Sequence, residues 1–199
     1  AGHVDAVLLA DGTALVSWLE GDGLWVRRMS ADGSVASLAA HVPGATAASV
    51  TMLRDGRFST VASSGDTATR ADALQHEVGS GPGVDAVLGG AVYRSDDVRC
   101  GRWPAWGALG HDEAGVTSAL SYRLTVLVHC ETIAALNIYS EHPASFDETS
   151  VSTGLLLATH GSLLVTALLA RDRADNVMRA LESNREIGVA MGVLMQRHH

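Results

Sequence analysis

Cysteine and histidine residues in the middle of the chain are of the types that could bind a metal ion. They are Cys100, His111, His129 and Cys130. Their spacing matches no standard zinc site, and an extended backbone would point the adjacent His129 and Cys130 to opposite faces. No pairing of a nucleophile with a base stands out elsewhere in the sequence. We therefore expect no metal site and assign no catalytic residue.

A glycine-rich segment, Gly79-Ser80-Gly81-Pro82-Gly83, has the composition of a loop that could hold a phosphate at a helix N-terminus. Val84 stands where the third glycine of the dinucleotide fingerprint would fall, and the lysine and hydroxyl of a P-loop are absent. Pro82 suits the first turn of a helix. We therefore expect a tight turn between two helices here rather than a phosphate site.

Two tryptophans, Trp103 and Trp106, stand at helical spacing around Pro104. They could line a ligand pocket between a helix and a sheet. Packing in the hydrophobic core is the commoner fate of such a pair. Both interpretations stay open on the sequence alone.

Length and composition predict one domain with appendages. The chain has 199 residues, of which 47% are hydrophobic, and a formal net charge of −8. This hydrophobic content supports a core, and the charge argues against broad, unspecific binding of nucleic acid. Two cysteines do not make a disulfide scaffold, no apolar run is long enough to cross a bilayer, and no signal peptide is visible. We expect a cytoplasmic protein without a membrane partner.

Turn residues divide the chain before residue 141 into short elements. Three strands within residues 4–29 are separated by Asp-Gly turns, which predicts a β-meander. The last strand alternates, with Leu136 and Ile138 on one face and Asn137 and Tyr139 on the other. Hairpins and helical excursions join the later strands, so we expect an α+β fold with helices against one antiparallel sheet. The elements after the meander are a short helix at 37–42, a hairpin of strands 47–53 and 57–63, helices at 67–77, 82–88 and 102–113, and strands at 91–94, 116–126 and 132–140.

Residues 146–182 contain no proline and have the apolar spacing of one long helix, or of two helices joined end to end. Ser145 and Glu148 form the sequence pattern of a capping box at its start. The apolar residues lie in two stripes. The first is Val151, Leu155, Ala158, Ser162, Val165 and Leu169, and the second is Leu156, Leu163, Ala167, Ala170, Ala174, Val177 and Leu181.

A helix that is apolar on two faces is buried on both. We therefore expect this helix to lie on the domain core and also against the same helix of a second copy, in a homodimer. A single helix folded back on its own domain is the alternative. The residues assigned to the dimer helix are Val151, Leu155, Leu156, Leu163, Val177 and Leu181.

Several motifs, in a fixed order, resemble the GAF domains, small-ligand sensor modules, that precede ANTAR domains in actinobacterial-type regulators. Residues 180–195 resemble the opening of an ANTAR domain, and the meander, which includes Asp11-Gly12-Thr13-Ala14-Leu15-Val16-Ser17-Trp18, resembles one blade of a bacterial β-propeller. The GAF motifs are Gly79-Ser80-Gly81-Pro82-Gly83-Val84-Asp85-Ala86, Arg102-Trp103-Pro104, Gly115-Val116-Thr117-Ser118, Ala134-Ala135-Leu136-Asn137-Ile138-Tyr139-Ser140 and Phe146-Asp147.

This resemblance implies a division of the chain and a function. Residues 1–36 would be an extension, 37–145 the sensor domain, 146–182 the long helix, and 183–199 the start of the output region. ANTAR domains bind RNA hairpins and prevent transcription termination, so the implied protein is a dimeric antitermination regulator that senses a small molecule of unknown identity. The implied ligand pocket is formed by Trp103, Trp106, Tyr122, Asn137 and Tyr139, and the implied RNA contacts are Arg185 and Arg197.

The sequence also departs from the family. Gly83 stands where a cysteine is usual, and Met191 stands where a lysine is frequent. An ANTAR domain in that family has three helices, and we expect only the first within residues 183–199, so that RNA binding would require a complete ANTAR domain. Two alternatives stay open. One is a thiol enzyme of the free methionine sulfoxide reductase type that uses Cys100 and Cys130, and the other is a dimerisation module without a ligand. We expect no enzyme.

Overall fold

The computed structural model describes residues 4–8, 13–20, 23–30, 41–90, 92–125 and 133–163, together with residues 165, 166, 170, 174 and 177. The N-terminal meander is confirmed as an antiparallel sheet in the order β1-β2-β3, in which Trp18 stands opposite Trp25 in register. The predicted short helix at 37–42 falls mostly outside the described residues. The three strands are β1 (Val4–Leu8), β2 (Thr13–Glu20) and β3 (Gly23–Ser30).

A second sheet of five antiparallel strands forms the centre of the fold, in the order β5-β4-β8-β7-β6. The predicted hairpin between its first two strands is confirmed. Asp55 and Gly56 both have positive φ, at 51° and 73°, which is the backbone of the tight turn that an Asp-Gly pair favours. The strands are β4 (Ala47–Arg54), β5 (Arg57–Ser63), β6 (Val92–Ser95), β7 (Ser118–Leu124) and β8 (Ile133–Ser140).

Three helices lie on one side of this sheet, and each of them ends at a glycine in the left-handed conformation. The capping glycines are Gly79, Gly90 and Gly115, with φ between 67° and 72°. Pro82 and Pro104 occupy the first turns of the second and third helix, where the missing amide proton costs nothing. The helices are α1 (Asp66–Val78), α2 (Pro82–Gly89) and α3 (Pro104–Ala114).

The fourth helix, α4, covers the other side of the sheet. It runs over residues 148–163, and residues 165, 166, 170, 174 and 177 are also helical. The predicted alternation of β8 is confirmed, because Leu136 and Ile138 pack in one core cluster with Leu157 of α4, whereas Tyr139 packs with residues of α1 and α3. These observations confirm the α+β architecture. No helix among the described residues is long and apolar enough to span a membrane.

The predicted capping box at the start of α4 is wrong, because Asp147 rather than Ser145 caps the helix. The backbone amide of Ser150 donates to Asp147 Oδ1 at 2.8 Å. Ser145 Oγ instead donates to the carbonyl of His142, 3.0 Å away. The hydrogen bonds from Ser150 lower the pKa of the Asp147 carboxyl, since they stabilise its charged form.

The sheet-facing stripe of α4 differs from the predicted one at Leu155. This residue is 53% exposed, whereas the buried positions are Gly154, Leu157, Ala158, Gly161 and Val165. The helix is rotated so that Gly154 faces the sheet, and a Cβ there would lie 2.6 Å from the ring of Tyr122. Only a residue without a side chain allows this approach, and Leu155 is therefore turned outward.

Replacing Gly107 with alanine is expected to destabilise the protein, although alanine is the better helix former. Gly107 lies in α3, where a Cβ would overlap the carbonyl oxygen of Val98. We expect Gly107→Ala to lower the free energy of unfolding by roughly 2 kcal/mol, measured by urea denaturation. The control is Gly101→Ala, because a Cβ at Gly101 meets its neighbours at an ordinary 3.6 Å. Equal stability of the two variants would contradict the packing described here.

Candidate functional site

The carboxyl group of Asp72 lies at the centre of a buried polar cluster between α1 and the five-stranded sheet. Asp72 has no exposed surface. Its two oxygens accept five side-chain hydrogen bonds from the three strands β4, β5 and β8. The donors are Ser49 at 2.9 Å, Thr51 at 3.1 Å, Thr60 at 2.8 Å, Asn137 at 3.1 Å and Tyr139 at 2.5 Å. We call these six residues the polar centre.

Strand alternation brings these donors together. Ser49 and Thr51 share the face of β4 that is turned towards α1, and the apolar residues between and beside them point to α4. The strand register brings donors of the neighbouring strands next to these two residues. Ser49 stands opposite Asn137 of β8, and Thr51 stands opposite Thr60 of β5. The polar centre is therefore a property of the pairing of three strands and not of any one segment.

Gln75, one turn after Asp72 on α1, connects the polar centre to the glycine-rich segment. Its Nε2 donates to the hydroxyl of Tyr139 at 2.6 Å, and its Oε1 accepts from the backbone amide of Gly83 at 2.7 Å. In a phosphate site the backbone amide of Gly83 would donate to the ligand, whereas here it donates to the Gln75 side chain. The prediction of a turn between two helices is confirmed.

Glycines are required where α2 approaches the polar centre. A Cβ on Gly81 would overlap the side chain of Gln75, and a Cβ on Gly83 would overlap the amide of Asn137. The same close packing excludes a cysteine at Gly83 in this arrangement. Among the described residues, no buried side-chain nitrogen or oxygen lacks a hydrogen-bond partner.

Burial raises the pKa of Tyr139 well above its usual value, and the adjacent Asp72 carboxyl raises it further. A phenol that holds its proton so firmly serves as a hydrogen-bond donor and not as a base. The polar centre therefore provides a set of fixed donors around one carboxyl group. This chemistry suits the orientation of a polar group more than proton transfer.

The structure brings three of the five predicted pocket residues together. Asn137 and Tyr139 belong to the polar centre, and the Trp106 ring lies 6.4 Å from the Tyr139 ring, centroid to centroid. Trp106 is fully buried, and its Nε1 donates to the carbonyl of Ala71 at 3.1 Å. Whether these residues hold a ligand stays a prediction.

Trp103 lies at the edge of the same layer and makes different contacts. Its Nε1 donates to Asp85 Oδ2 at 3.0 Å. The guanidinium of Arg102 also pairs with this carboxylate, at 3.1 Å, and lies over the Trp103 and Tyr93 rings. Trp103 is 5% exposed, so it closes the edge of the helical layer.

Tyr122, the fifth predicted pocket residue, lies on the opposite side of the sheet. Its hydroxyl donates to the carbonyl of Val151 in α4 at 2.7 Å. Burial raises the pKa of this phenol as well. The sheet itself therefore separates Tyr122 from the polar centre.

The other residues with chemical potential do not join the polar centre in the described structure. Cys100 is an exposed free thiol in the loop between β6 and α3. His111 Nδ1 lies 3.3 Å from the hydroxyl of Thr117. The remaining predicted positions, which lie outside the described residues, are His129, Cys130, Leu181, Arg185 and Arg197.

Sequence reasoning missed Asp72 and Gln75, although a signal for both was present. The apolar face of α1 includes Ala68, Ala71 and Leu74, and Asp72 and Gln75 fall within the same face. A polar residue at a core position of an amphipathic helix requires a buried partner. That requirement indicates a polar site opposite the helix, even before the sheet is known.

Replacing Asp72 with alanine is expected to lower the free energy of unfolding by about 3 kcal/mol or more, because five donors lose their acceptor inside the core. Urea denaturation followed by circular dichroism measures the change. The control is Glu77→Ala on the exposed face of the same helix, for which we expect a change within about 0.5 kcal/mol. An Asp72→Ala variant as stable as the control would mean that the hydroxyl donors find other acceptors.

The stability of the protein is also expected to depend on His76, which is half-buried and stacks on Phe58 at 5.3 Å. Burial lowers the pKa of His76, and the negative charge of Asp72 opposes this shift only in part. Below about pH 6.5, which is the pKa of histidine in an unfolded chain, the folded state therefore binds fewer protons than the unfolded state. Stability contributed by neutral His76 is therefore present above that pH and is lost as the pH falls through the pKa of His76 in the folded state.

Between pH 7.5 and pH 5.5, we expect the His76→Gln variant to lose less unfolding free energy than the wild type. The control is His142→Gln, at an exposed position, which is expected to behave as the wild type. Parallel losses in all three proteins would remove His76 as a cause.

Comparison with known proteins identifies the architecture. No protein-family model matches the chain, and no curated protein matches it. Several solved structures do match the chain. A domain assigned to a two-component sensor histidine kinase from Sinorhizobium meliloti 1021 is 12% identical and covers 73% of this chain and 92% of its own, with a TM-score of 0.53. The blue-light-absorbing form of the PixJ GAF domain from Thermosynechococcus elongatus is 12% identical and covers 75% of this chain and 91% of its own, with a TM-score of 0.52.

A type II free methionine-R-sulfoxide reductase from Thermoplasma acidophilum is 18% identical and covers 61% of this chain and 79% of its own, with a TM-score of 0.47. This weaker likeness carries no argument about chemistry. At such identities the comparisons define the fold and leave function open. The chain has a GAF-like α+β fold, in which a five-stranded antiparallel sheet lies between three helices on one side and α4 on the other.

Proposed function

We propose that this chain is the signal-sensing part of a dimeric, RNA-binding regulator of transcription antitermination of the actinobacterial GAF–ANTAR type. Two features support the proposal. One is the GAF-like fold, and the other is the long helix α4, which connects the sensor to the segment that resembles an ANTAR domain. A regulator of transcription acts in the cytoplasm of a bacterium, and the proposal includes that location.

The observation that carries the proposal is the division of α4 into two apolar faces. Leu157 and Ala158 are buried against the sheet, at 6% and 3% exposure. Leu156 and Leu163 lie on another face and are 60% and 61% exposed. Val177 continues the same row at 52% exposure. A row of exposed leucine and valine at heptad spacing is the surface by which two helices associate.

A second copy of the same helix is the occupant that this row fits. Residues 156, 163, 170 and 177 recur every seven residues and are exposed, and alanine at 170 and 174 permits close approach of the partner. Leu155, which is 53% exposed, borders the row, and half-buried Val151 lies near its start. The homodimer therefore explains why so much apolar surface is present on one helix.

The output in this proposal is RNA binding by a complete ANTAR domain. Residues 180–195 supply the resemblance, and Arg185 and Arg197 are the candidate phosphate contacts. Arginine is a residue type that commonly contacts RNA phosphates. The signal would be a small molecule that binds one arrangement of the dimer better than the other.

A dimerisation module without a ligand is the second candidate function, and a specific observation favours it. The polar centre is closed by its own hydrogen bonds, and Trp106, Asn137 and Tyr139 are at most 1% exposed. A ligand would have to displace these internal partners. The thiol-enzyme alternative has weaker support, since Cys100 is exposed in a loop and the second thiol lies outside the described residues.

Replacing Leu163 with glutamate is expected to weaken the dimer by about 100-fold or more, because the dimer would bury an unpaired charge in each copy. Analytical ultracentrifugation and native mass spectrometry at micromolar concentration measure the subunit number. The matched control is Leu88→Glu, since Leu88 of α2 is equally exposed, at 62%, and lies on the other side of the sheet. A monomeric wild type, or a Leu88→Glu variant that dissociates as readily, would overturn the dimer proposal.

The same mass spectra separate the two candidate functions. Extra mass on the native dimer that is lost on denaturation identifies a bound signal molecule. A dimer of exact sequence mass that also shows no thermal stabilisation by a metabolite mixture favours the module without a ligand.

A further inference from the structure

Strand β7 touches both the polar centre and α4, through two adjacent residues. Ser121 and Tyr122 point to opposite faces of the sheet, as neighbours in a strand do. Ser121 Oγ donates to Asn137 Oδ1 at 2.9 Å on the side of the polar centre. Tyr122 donates to the carbonyl of Val151 on the side of α4. Both side chains are buried, with at most 1% exposure.

Asn137 joins the β7 contact to the carboxyl group of Asp72. Its Nδ2 donates to Asp72 Oδ1 at 3.1 Å and to Thr51 Oγ1 at 3.0 Å, while its Oδ1 accepts the Ser121 hydroxyl. The two ends of a carboxamide are held in one plane, so a change at one end alters the other. A rearrangement around Asp72 would therefore change the hydrogen bond between Asn137 and Ser121.

On the other side of the sheet, β7 and the residue after it hold α4 at two points. The Tyr122 hydroxyl donates to the carbonyl of Val151 in the first turn, and a Cβ on Gly154 would lie only 2.6 Å from the Tyr122 ring. The backbone amide of Thr125 donates to Ser162 Oγ at 3.0 Å. Any shift of β7 therefore acts on α4 over most of its described length.

We propose that β7 is a regulatory link in which the Ser121–Asn137 and Tyr122–Val151 hydrogen bonds couple the state of the polar centre to the docking of α4. A centre that loses its internal hydrogen bonds loosens α4 on the sheet, and an intact centre holds it. The consequence for an output domain rests on the proposed function, because there α4 is the dimer helix. The coupling itself is a property of the single subunit.

Amide hydrogen exchange of the full chain, read by mass spectrometry over residues 148–163, tests this link. Each of Ser121→Ala and Tyr122→Phe removes one hydroxyl, and each is expected to raise the exchange rate of the α4 peptide by about fivefold, the effect of one buried hydrogen bond on a local opening equilibrium. Coupling predicts that the double variant exchanges no faster than the single variants, since both break the same link.

Two matched variants control for the loss of a hydroxyl elsewhere. Tyr93→Phe lies on β6, and Ser63→Ala removes a hydrogen bond to Thr69 at the β5 edge; both are expected to leave the exchange of residues 148–163 unchanged. If Ser121→Ala does not fold, Thr60→Ala replaces it. Thr60 is a half-buried donor to Asp72, and its loss is expected to raise α4 exchange in the same direction by a smaller factor.

The outcomes separate this inference from the proposed function. Faster exchange in β4 and β8 with no change over residues 148–163, or rate increases that multiply in the double variant, would overturn the link. The oligomeric state, measured on the same samples, decides the dimer proposal on its own. A monomer with coupled exchange would keep the link and remove the dimer.

Discussion

The burial of one carboxyl group, that of Asp72, constrains the rest of the domain. A carboxyl group without solvent needs hydrogen-bond donors on several sides, since an unpartnered one would cost several kcal/mol. The donors come from β4, β5 and β8, so these strands must pair in one register. The same requirement aligns α1, because Gln75 must reach Tyr139 while Asp72 reaches the sheet. A polar requirement thus specifies how helix and sheet meet, where apolar packing alone would permit several arrangements.

The two sides of the sheet carry different kinds of side chain. The side of α1 to α3 contains the polar centre, whereas the side of α4 contains an apolar cluster that includes Leu136, Ile138 and Leu157. Successive residues of a strand alternate between these two sides. Ser121 and Tyr122 are such a pair, and each makes a hydrogen bond to a different layer. The polar centre and α4 therefore lie on opposite sides of the sheet and share no surface.

Local patterns predicted most of the described elements correctly. Period-two alternation indicated β8 and its two faces, Asp55-Gly56 indicated the hairpin turn, and Pro82 and Pro104 indicated helix starts. Patterns failed at two positions of α4. Asp147 rather than Ser145 caps the helix, because the Ser145 hydroxyl is bound to Ser140 at the end of β8 and to the carbonyl of His142. Leu155 turned outward because Gly154 fits under Tyr122.

The sequence by itself determined the fold class and the order of elements, since turn residues, caps and hydrophobic periodicity act within a few residues. It also indicated a second apolar face on α4, which the exposure of Leu156 and Leu163 now displays. Only the tertiary structure decided which polar residues meet. The contact between Asp72 and Asn137 spans 65 positions of the chain, and no local pattern encodes such a distance. The separation of Tyr122 from Tyr139 was likewise decided by strand register, because a shift of one residue moves a side chain to the other face of the sheet.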